Sequence, residues 1–503
     1  MAKRVGRRSL LRGVAASVSA AGLGNLVPGC GPAPANAHFA HGVASADPTT
    51  SGLILWTRLT GVPEGASLRW MVALDQSFEE PLASGDVPAD PDRDYTAHVE
   101  VEALPSGSQV FYAFEVVTTM GVVRSPIGRA RTLAEDPTQV RIGVACCASL
   151  AHGWLHGYRF LAERDLDLVL HLGDAIYEFA SGEYGSLRPY DPPHACRTLD
   201  DYRRRHAQYR SEPEAQTLRG AHAICALWDD HEFVNDAFQS GSYFHDPLLG
   251  DFAARRDAAR QAFFEWTPMR RSPEHPDRIY RSLSFGRLAH LVLADSRMDG
   301  RSYQPFDEAE RRSPSRQIIS PEQEAWLIGE LSREDVRYRV MAQQVLFAHH
   351  PEVGAWDAWE GYAAQRQRIL SALSSGPSST FLALAGDSHA SWASELSTDP
   401  FDRALYDPLT GRGALGVELG APGISSPNLD PRDAPFEEAR ILREGPQHRF
   451  TEQSSRGFLV LELDERSARG QHVFVYGVET PTTGRELSGP VHEVMAGTSQ
   501  LVR

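Results

Sequence analysis

The chain has 503 residues, 42% of them hydrophobic and 23% charged, which is enough apolar material for a large core and more than one domain. Charged residues are spread along the chain, so no long disordered tail is expected, and the formal net charge is −16. A balance this acidic repels polyanions and excludes a nucleic-acid-binding module. Small phosphoesters stay open, because a bound metal ion inverts the local field.

Residues 1–37 read as an address. Arg7-Arg8-Ser9-Leu10-Leu11-Arg12 places a twin arginine before a mildly apolar stretch over 13–26, and small residues follow to Ala35-Asn36-Ala37. A basic start, a short apolar middle and an A-x-A end form a signal peptide, and the paired arginines point to the Tat export machinery as a partner. The apolar stretch is too short and too rich in Gly, Ser and Ala to span a bilayer. The expected location is the periplasm or the medium. Loss of 1–37, with its five basic residues and no acid, takes the charge from −16 to −21. Cys30 follows Val27-Pro28-Gly29, a loose match to a lipoprotein site, so a lipid anchor there is the lesser alternative. Of the other cysteines, the neighbours Cys146 and Cys147 are too close to bridge without strain. A bridge between Cys196 and Cys225 stays open.

Residues 38–133 carry short β-branched or aromatic runs at 53–57, 68–74, 95–104 and 110–118, separated by turns rich in Pro, Gly and Asp. Strands at this spacing predict a small β-sandwich of immunoglobulin or fibronectin type. Ala134-Glu135-Asp136-Pro137 reads as a linker. Over 134–503 strands alternate with helices, the grammar of an α/β domain. Strands are expected at 140–146, 167–172, 223–228, 339–346, 380–385, 416–419, 457–463 and 472–476. Helices are expected at 202–218 and 251–266. Ser320-Pro321-Glu322-Gln323 carries a cap residue, a proline at the first position and a glutamine at the third, which opens a helix to about Leu331.

Functional groups in open α/β sheets gather just past the carboxyl ends of strands. Four expected strands end in potential ligands: Cys146-Cys147-Ala148-Ser149; His171-Leu172-Gly173-Asp174 with Tyr177 and Glu178; Trp228-Asp229-Asp230-His231-Glu232 with Asn235 and Asp236; and Gly386-Asp387-Ser388-His389. Thiolate, phenolate, imidazole and carboxylate together suit one harder, higher-charge iron and oxygen-preferring divalent ions. Glycine before Asp174 and Asp387 lets each loop turn sharply. Singly, each residue has a plain structural reading, as a turn Asp or a buried Cys; Glu178 and Glu232 read as solvated or structural. Their joint placement in one domain favours a metal site. His231-Glu232 lacks the second histidine of a zinc-protease motif, since position 235 is Asn. His349-His350 follows a strand and precedes Pro351, which fits a turn near the site mouth, with a ligand role the alternative. Arg297 reads as a salt-bridge residue, with phosphate contact the alternative.

The ordered strings resemble the PhoD-type alkaline phosphatases, within the calcineurin-like metallophosphoesterases. They are Phe39 to Ser45, Leu55-Trp56-Thr57-Arg58, Leu170 to Asp174 with Ile176-Tyr177-Glu178, Leu227 to Glu232, and Gly386 to His389 with Ser391-Trp392-Ala393. The resemblance runs from about His38 to about Tyr476. It implies a four-layer α/β catalytic domain of two mixed sheets flanked by helices, after an amino-terminal β-sandwich. It also implies a site holding Fe3+ and Ca2+. By carry-over, Cys147, Asp174, Tyr177 and His389 surround the iron. Asp174 bridges toward the calcium side, where Asp229 or Asp230, Asn235 and Asp387 are candidates. The family pattern has Ser-Cys where this chain has Cys146-Cys147, so Cys147 is the ligand. Ala148-Ser149 and Ala175 depart from the pattern and bear on substrate preference.

The chemistry implied is phosphomonoester hydrolysis, with phosphodiesters of lipid or polymer as the alternative. Two metals about 3.5–4 Å apart acidify water and clamp the phosphate. Asp174 sets their separation, His231 donates a proton to the leaving alkoxide or hydrogen-bonds the phosphate, and Asp230 or Glu232 pairs with His231. An inactive exported binding protein would have lost ligands, whereas Asp174, His231 and His389 are all present.

Overall fold

Alternation along three buried strands explains how one sheet serves two cores. Leu291 and Leu293, Val340 and Ala342, and Leu382 and Leu384 face one core; Val292, Met341, Phe381 and Ala383 face another. Successive side chains point to opposite sides of a strand, so apolar residues at every position require cover on both faces. A computed structural model of the chain describes residues 33–62, 64–350 and 356–503, and supplies that cover. Helices Pro321–Leu331 and Ala363–Ser375 bury Leu327, Leu331, Ile369, Leu370 and Leu373 on the outer face of this sheet. Its inner face meets a second, larger sheet.

The larger sheet has nine strands, in the order Arg485–Met495, Ser467–Tyr476, Arg456–Asp464, Gln139–Ala145, Leu168–His171, Ala223–Ala226, Val43–Ala46, Leu53–Arg58 and Thr96–Val101. The smaller has seven, in the order Arg281–Phe285, Ala289–Leu293, Tyr338–Ala342, Thr380–Ala385, Gly416–Gly420, Ser391–Leu396 and His448–Glu452. Gln139–Ala145, Leu168–His171 and Ala223–Ala226 run parallel in the first. Ala289–Leu293, Tyr338–Ala342, Thr380–Ala385 and Gly416–Gly420 run parallel in the second. This is the expected four-layer arrangement.

The amino-terminal sandwich is present, and it shares a sheet with the rest. Ala66–Ala73, Ala83–Ala89, Gln109–Thr118, Gly121–Arg124 and Gly128–Arg131 form its separate sheet. They pack on Val43–Ala46, Leu53–Arg58 and Thr96–Val101 across a core that includes Leu55, Leu68, Val99 and Phe114. Those three strands are also the edge of the nine-stranded sheet, because Ser45 and Ala46 pair in parallel with Ala223 and Ile224. Asp47 adds a lock: its carboxylate accepts from Arg281 Nη2 at 2.7 Å and from the Arg270 N–H at 2.7 Å. Trp56 Nε1 donates to Glu265 O at 2.9 Å.

Several local expectations shift. The charged stretch at 202–218 is two helices, Leu199–Arg210 and Pro213–Ala221, because Pro213 has no N–H and begins a new one. Thr198 and Asp201 form a full capping box there. Ser320 caps Pro321–Leu331 through Gln323 N, but the Gln323 side chain turns away to Asp295 and Asp299. Cys196 and Cys225 are free thiols; Cys196 Sγ donates to Asp201 O. The twin arginine, Cys30 and the rest of 1–32 lie outside the described residues. Residues 33–37 pack on the sandwich: Ala33 N donates to Val117 O at 2.8 Å, and Ala33 and Ala37 are buried. No helix among the described residues is long and apolar enough to cross a membrane.

Sharing a sheet should make the sandwich and the larger region unfold together. Calorimetry should show one main transition, and Asp47→Ala, which strands Arg281, should lower stability by about 3 kcal/mol. Two well-separated transitions in the unmodified chain would contradict this coupling.

Candidate metal centre

The parallel strands of both sheets point their carboxyl ends at one cleft, and the loops they emit hold the candidate ligands. Five of these residues sit in the left-handed region: Cys147 at φ 56°, Asp174 at 55°, Asp236 at 52°, Asp387 at 60° and His389 at 54°. Non-glycine residues adopt that conformation at a cost, commonly where function requires a particular side chain. Gly173, at φ 112°, turns the first of the aspartate loops, and a Cβ on it would lie 2.4 Å from Asp229 Cβ. Gly386 acts differently from expectation. Its backbone is not left-handed; it allows close approach to Cys146, where a Cβ would lie 3.0 Å from Cys146 Cβ.

Three overlapping groups result, each with ligand atoms within 4.8 Å of one another: Cys147, Asp174 and His389; Asp174, Asp230 and His231; Asp229, Asp230 and Asp387. Asp174 belongs to the first two and Asp230 to the last two. Tyr177 joins the first, with its hydroxyl 3.2 Å from Asp174 Oδ2 and 3.3 Å from His389 Nε2. His389 Nδ1 is 2.9 Å from Pro427 O, so Nδ1 carries the hydrogen and Nε2 keeps its lone pair for the cleft. Burial brings that histidine down to about 4, the neutral state a ligand needs. Cys146 Sγ turns to the carbonyls of Ala421 and Pro422, which leaves Cys147 as the thiol of the first group. Asn235 is half-buried and its N–H donates to Glu178. Its side-chain amide makes no hydrogen bond among the described residues.

These groups fit cations. Asp229 Oδ2 and Asp230 Oδ1 are buried with no hydrogen-bond partner. Burial pushes Asp174 and Asp229 well above the ordinary carboxylate range, opposed by His231 and Arg297 respectively and reinforced by neighbouring acids. Burial and Asp357 bring Asp387 to about 7, against the pull of Arg297. Carboxylates crowded this way are stable as anions only with positive charge among them. Arg297 supplies part of it. Fully buried, it pairs with Asp229 at 2.5 Å and Asp357 at 2.7 Å, and lies 3.7 Å from Asp387 and 3.9 Å from Asp230. The salt-bridge reading of Arg297 holds, inside the acidic cluster itself.

Two glutamates read as solvated or structural are buried parts of the site. Glu232 accepts three backbone N–H groups, from Asp174 at 2.9 Å, Ala175 at 2.6 Å and Asp229 at 2.7 Å, and so joins two ligand loops. Glu178 accepts from His231 Nδ1 at 2.8 Å; neither Asp230 nor Glu232 pairs with that ring. Burial lowers the His231 pKa, but Asp230, Asp174 and Glu178 outweigh it and hold the ring well above its ordinary value. Ser426, 2.6 Å from the Tyr177 hydroxyl, comes from the loop after Gly416–Gly420, and Tyr184, stacked on the Tyr177 ring at 5.4 Å, comes from farther along the loop of Tyr177 itself; both lie outside the strand-end motifs. His349 pairs with Glu360, and His350 packs on Trp392 and His448; neither belongs to the three groups.

Residues 142–472 match the model of the PhoD-like phosphatase family, and residues 26–134 match that of the PhoD-like phosphatase N-terminal domain. Alkaline phosphatase D of Bacillus subtilis (strain 168) is 34% identical over 444 residues, covering 82% of this chain and 73% of that protein. The solved structure of PhoD superposes with a TM-score of 0.83 at 29% identity, over 95% of this chain and 93% of that one. A purple acid phosphatase from yellow lupin shares the fold, with a TM-score of 0.54 at 12% identity over 86% and 71% of the two chains.

Glutamine at position 232 would turn an NH2 toward backbone N–H groups. Glu232→Gln should therefore lower metal affinity roughly 10–100-fold with the fold retained. Metal titration followed by circular dichroism measures both; unchanged affinity would remove Glu232 from this role.

Proposed function

The chain belongs to the PhoD-like phosphatase family, and on that premise we propose an exported alkaline phosphatase that hydrolyses phosphomonoesters first and phosphodiesters second. At the level of the family it is a metal-dependent phosphoric ester hydrolase. The observation that carries the proposal is the meeting of Cys147, Asp174 and His389 with Asp229, Asp230 and Asp387 in one cleft. Export by the Tat route rests on the twin arginine and the A-x-A end of 1–37.

Cys147, Asp174, Tyr177 and His389 would hold a ferric ion, since thiolate, phenolate and imidazole beside carboxylate suit a harder, higher-charge iron. Asp229, Asp230, Asp387 and Asn235 offer oxygens alone, the donor set of calcium. Bound cations there supply a water acidified enough to attack phosphorus and charge balance for the phosphate oxygens. The residues do the rest. Asp174, common to two groups, sets their spacing. Glu178 holds His231 by Nδ1 and leaves Nε2 as the nitrogen that can give a proton to the leaving alkoxide. Tyr184 and Phe179 flank that ring, at 6.0 and 5.1 Å between centroids, and limit access of bulk water to it.

Asp174→Ala should abolish both metal retention and turnover; full activity in that variant would end the proposal. Purified protein should be coloured, because phenolate bound to ferric iron absorbs visible light, and Tyr177→Phe should bleach it. A full complement of iron without colour would exclude Tyr177 as a ligand. Turnover of p-nitrophenyl phosphate against bis-p-nitrophenyl phosphate, before and after chelation, ranks the two substrate classes. A rate that survives removal of all metal would overturn the metal assignment.

A further inference from the structure

Behind the metal centre lies a small buried cavity whose charged lining groups have the opposite sign. Tyr158, His171, Ala175, Arg210, Arg219 and Thr267 are among its lining residues. A water-sized sphere can move its centre through about 30 Å³ of it. That is more than one water requires and suits a monatomic anion.

Much of the lining is apolar, from residues such as Leu218, Leu227 and Phe263, but its two arginines have no matching acid among the described lining residues. Arg210 is 7% exposed and Arg219 5%, and neither forms an ion pair with a described residue. Arg219 sits over the Trp56 ring at 4.7 Å and gives one hydrogen bond, from Nη2 to Trp266 O at 3.3 Å. The Arg210 guanidinium makes no hydrogen bond with any described residue. The Nε of both, together with Thr267 Oγ1, is buried and unpartnered. Glu232, whose charge reaches Arg210, already uses both oxygens on backbone N–H groups. The Tyr158 hydroxyl and His171 Nε2 are 2.6 Å apart, and His171 Nδ1 has no partner. Whichever nitrogen carries the proton, one hydrogen of that pair lacks an acceptor.

Two unpaired guanidinium ions in a buried interior are among the most costly arrangements a fold can contain. One anion accepting from both guanidinium groups would relieve that cost. We propose that this cavity is a binding site for chloride, held between Arg210 and Arg219 and completed by Thr267 and the Tyr158–His171 pair. His171 ends the strand that leads into Asp174, and Ala175 donates to Glu232, so the anion would brace the metal loops from behind.

Crystals of the metal-loaded enzyme grown with bromide in place of chloride test this directly. An anomalous bromine peak between the two guanidinium groups is expected; water alone at that position would overturn the proposal. In solution, chloride replacing methanesulfonate at constant ionic strength should raise the Tm of the unmodified enzyme. The expected rise is roughly 3 °C at a concentration about 100-fold above the chloride Kd. Arg210→Met should abolish that rise, with Arg219→Met as the substitute if the first variant does not fold. An unmodified enzyme indifferent to chloride, or a chloride effect undiminished in the folded variant, counts against the site, and the bromide experiment needs neither variant.

Discussion

The carboxylate of Glu232 receives three backbone N–H groups from two loops that leave neighbouring parallel strands. Charge-assisted bonds of this kind are about twice as strong as neutral ones, and here no water competes for them. They hold Asp174 in its left-handed conformation and bring the Asp229–His231 stretch against it. Remove that clamp and two of the three ligand groups lose their common geometry, since Asp174 belongs to both. The ring of His231 then depends on a second glutamate, Glu178, for its orientation. The ligands are thus set by a layer of acids that are not themselves ligands.

Charge is arranged in two compartments. The cleft gathers Asp229, Asp230, Asp357 and Asp387 around Arg297, with Arg301 also on Asp357 and Asp174 beside Asp230, and leaves buried carboxylate oxygens without partners. That deficit of positive charge is what a cation corrects. On the other side of the Asp174 loop, Arg210 and Arg219 present the reverse deficit in a buried cavity. Glu232 stands between the two, with its oxygens committed to the cleft side. An acidic chain therefore keeps strongly cationic ground within its core, next to the region where its negative charge is densest.

The amino-terminal sandwich is more than an appended module. Three of its strands continue the large sheet, and Asp47 is bonded to Arg281 and Arg270 from the catalytic region. Composition changes at the linker, but hydrogen bonding crosses it. Strand Ala223–Ala226, which leads into Asp229, has Val43–Ala46 as its outer neighbour. The sandwich thereby supports one of the ligand loops from its edge.

Much of the fold and the principal ligands were legible in the sequence. Continuous apolar runs marked most of the buried strands, and turn residues with Cys, Asp or His marked where the ligand loops leave them; ligand chemistry at strand ends is local and survives in one dimension. Ala289–Leu293, equally apolar, went unread as a strand, although it positions Arg297. Shared sheets were not legible, because pairing of Ser45 with Ala223 depends on contacts far apart in the chain. The particular roles of Glu178 and Glu232 were hidden for a related reason: an acid beside a motif reads as solvated or structural alike until tertiary structure buries it. Sequence determined which groups were available for metal chemistry. Only the folded arrangement decided which were brought together, which were diverted, as Cys146 was, and which charges were left facing one another in the interior, since burial and long-range hydrogen bonding exist only in three dimensions.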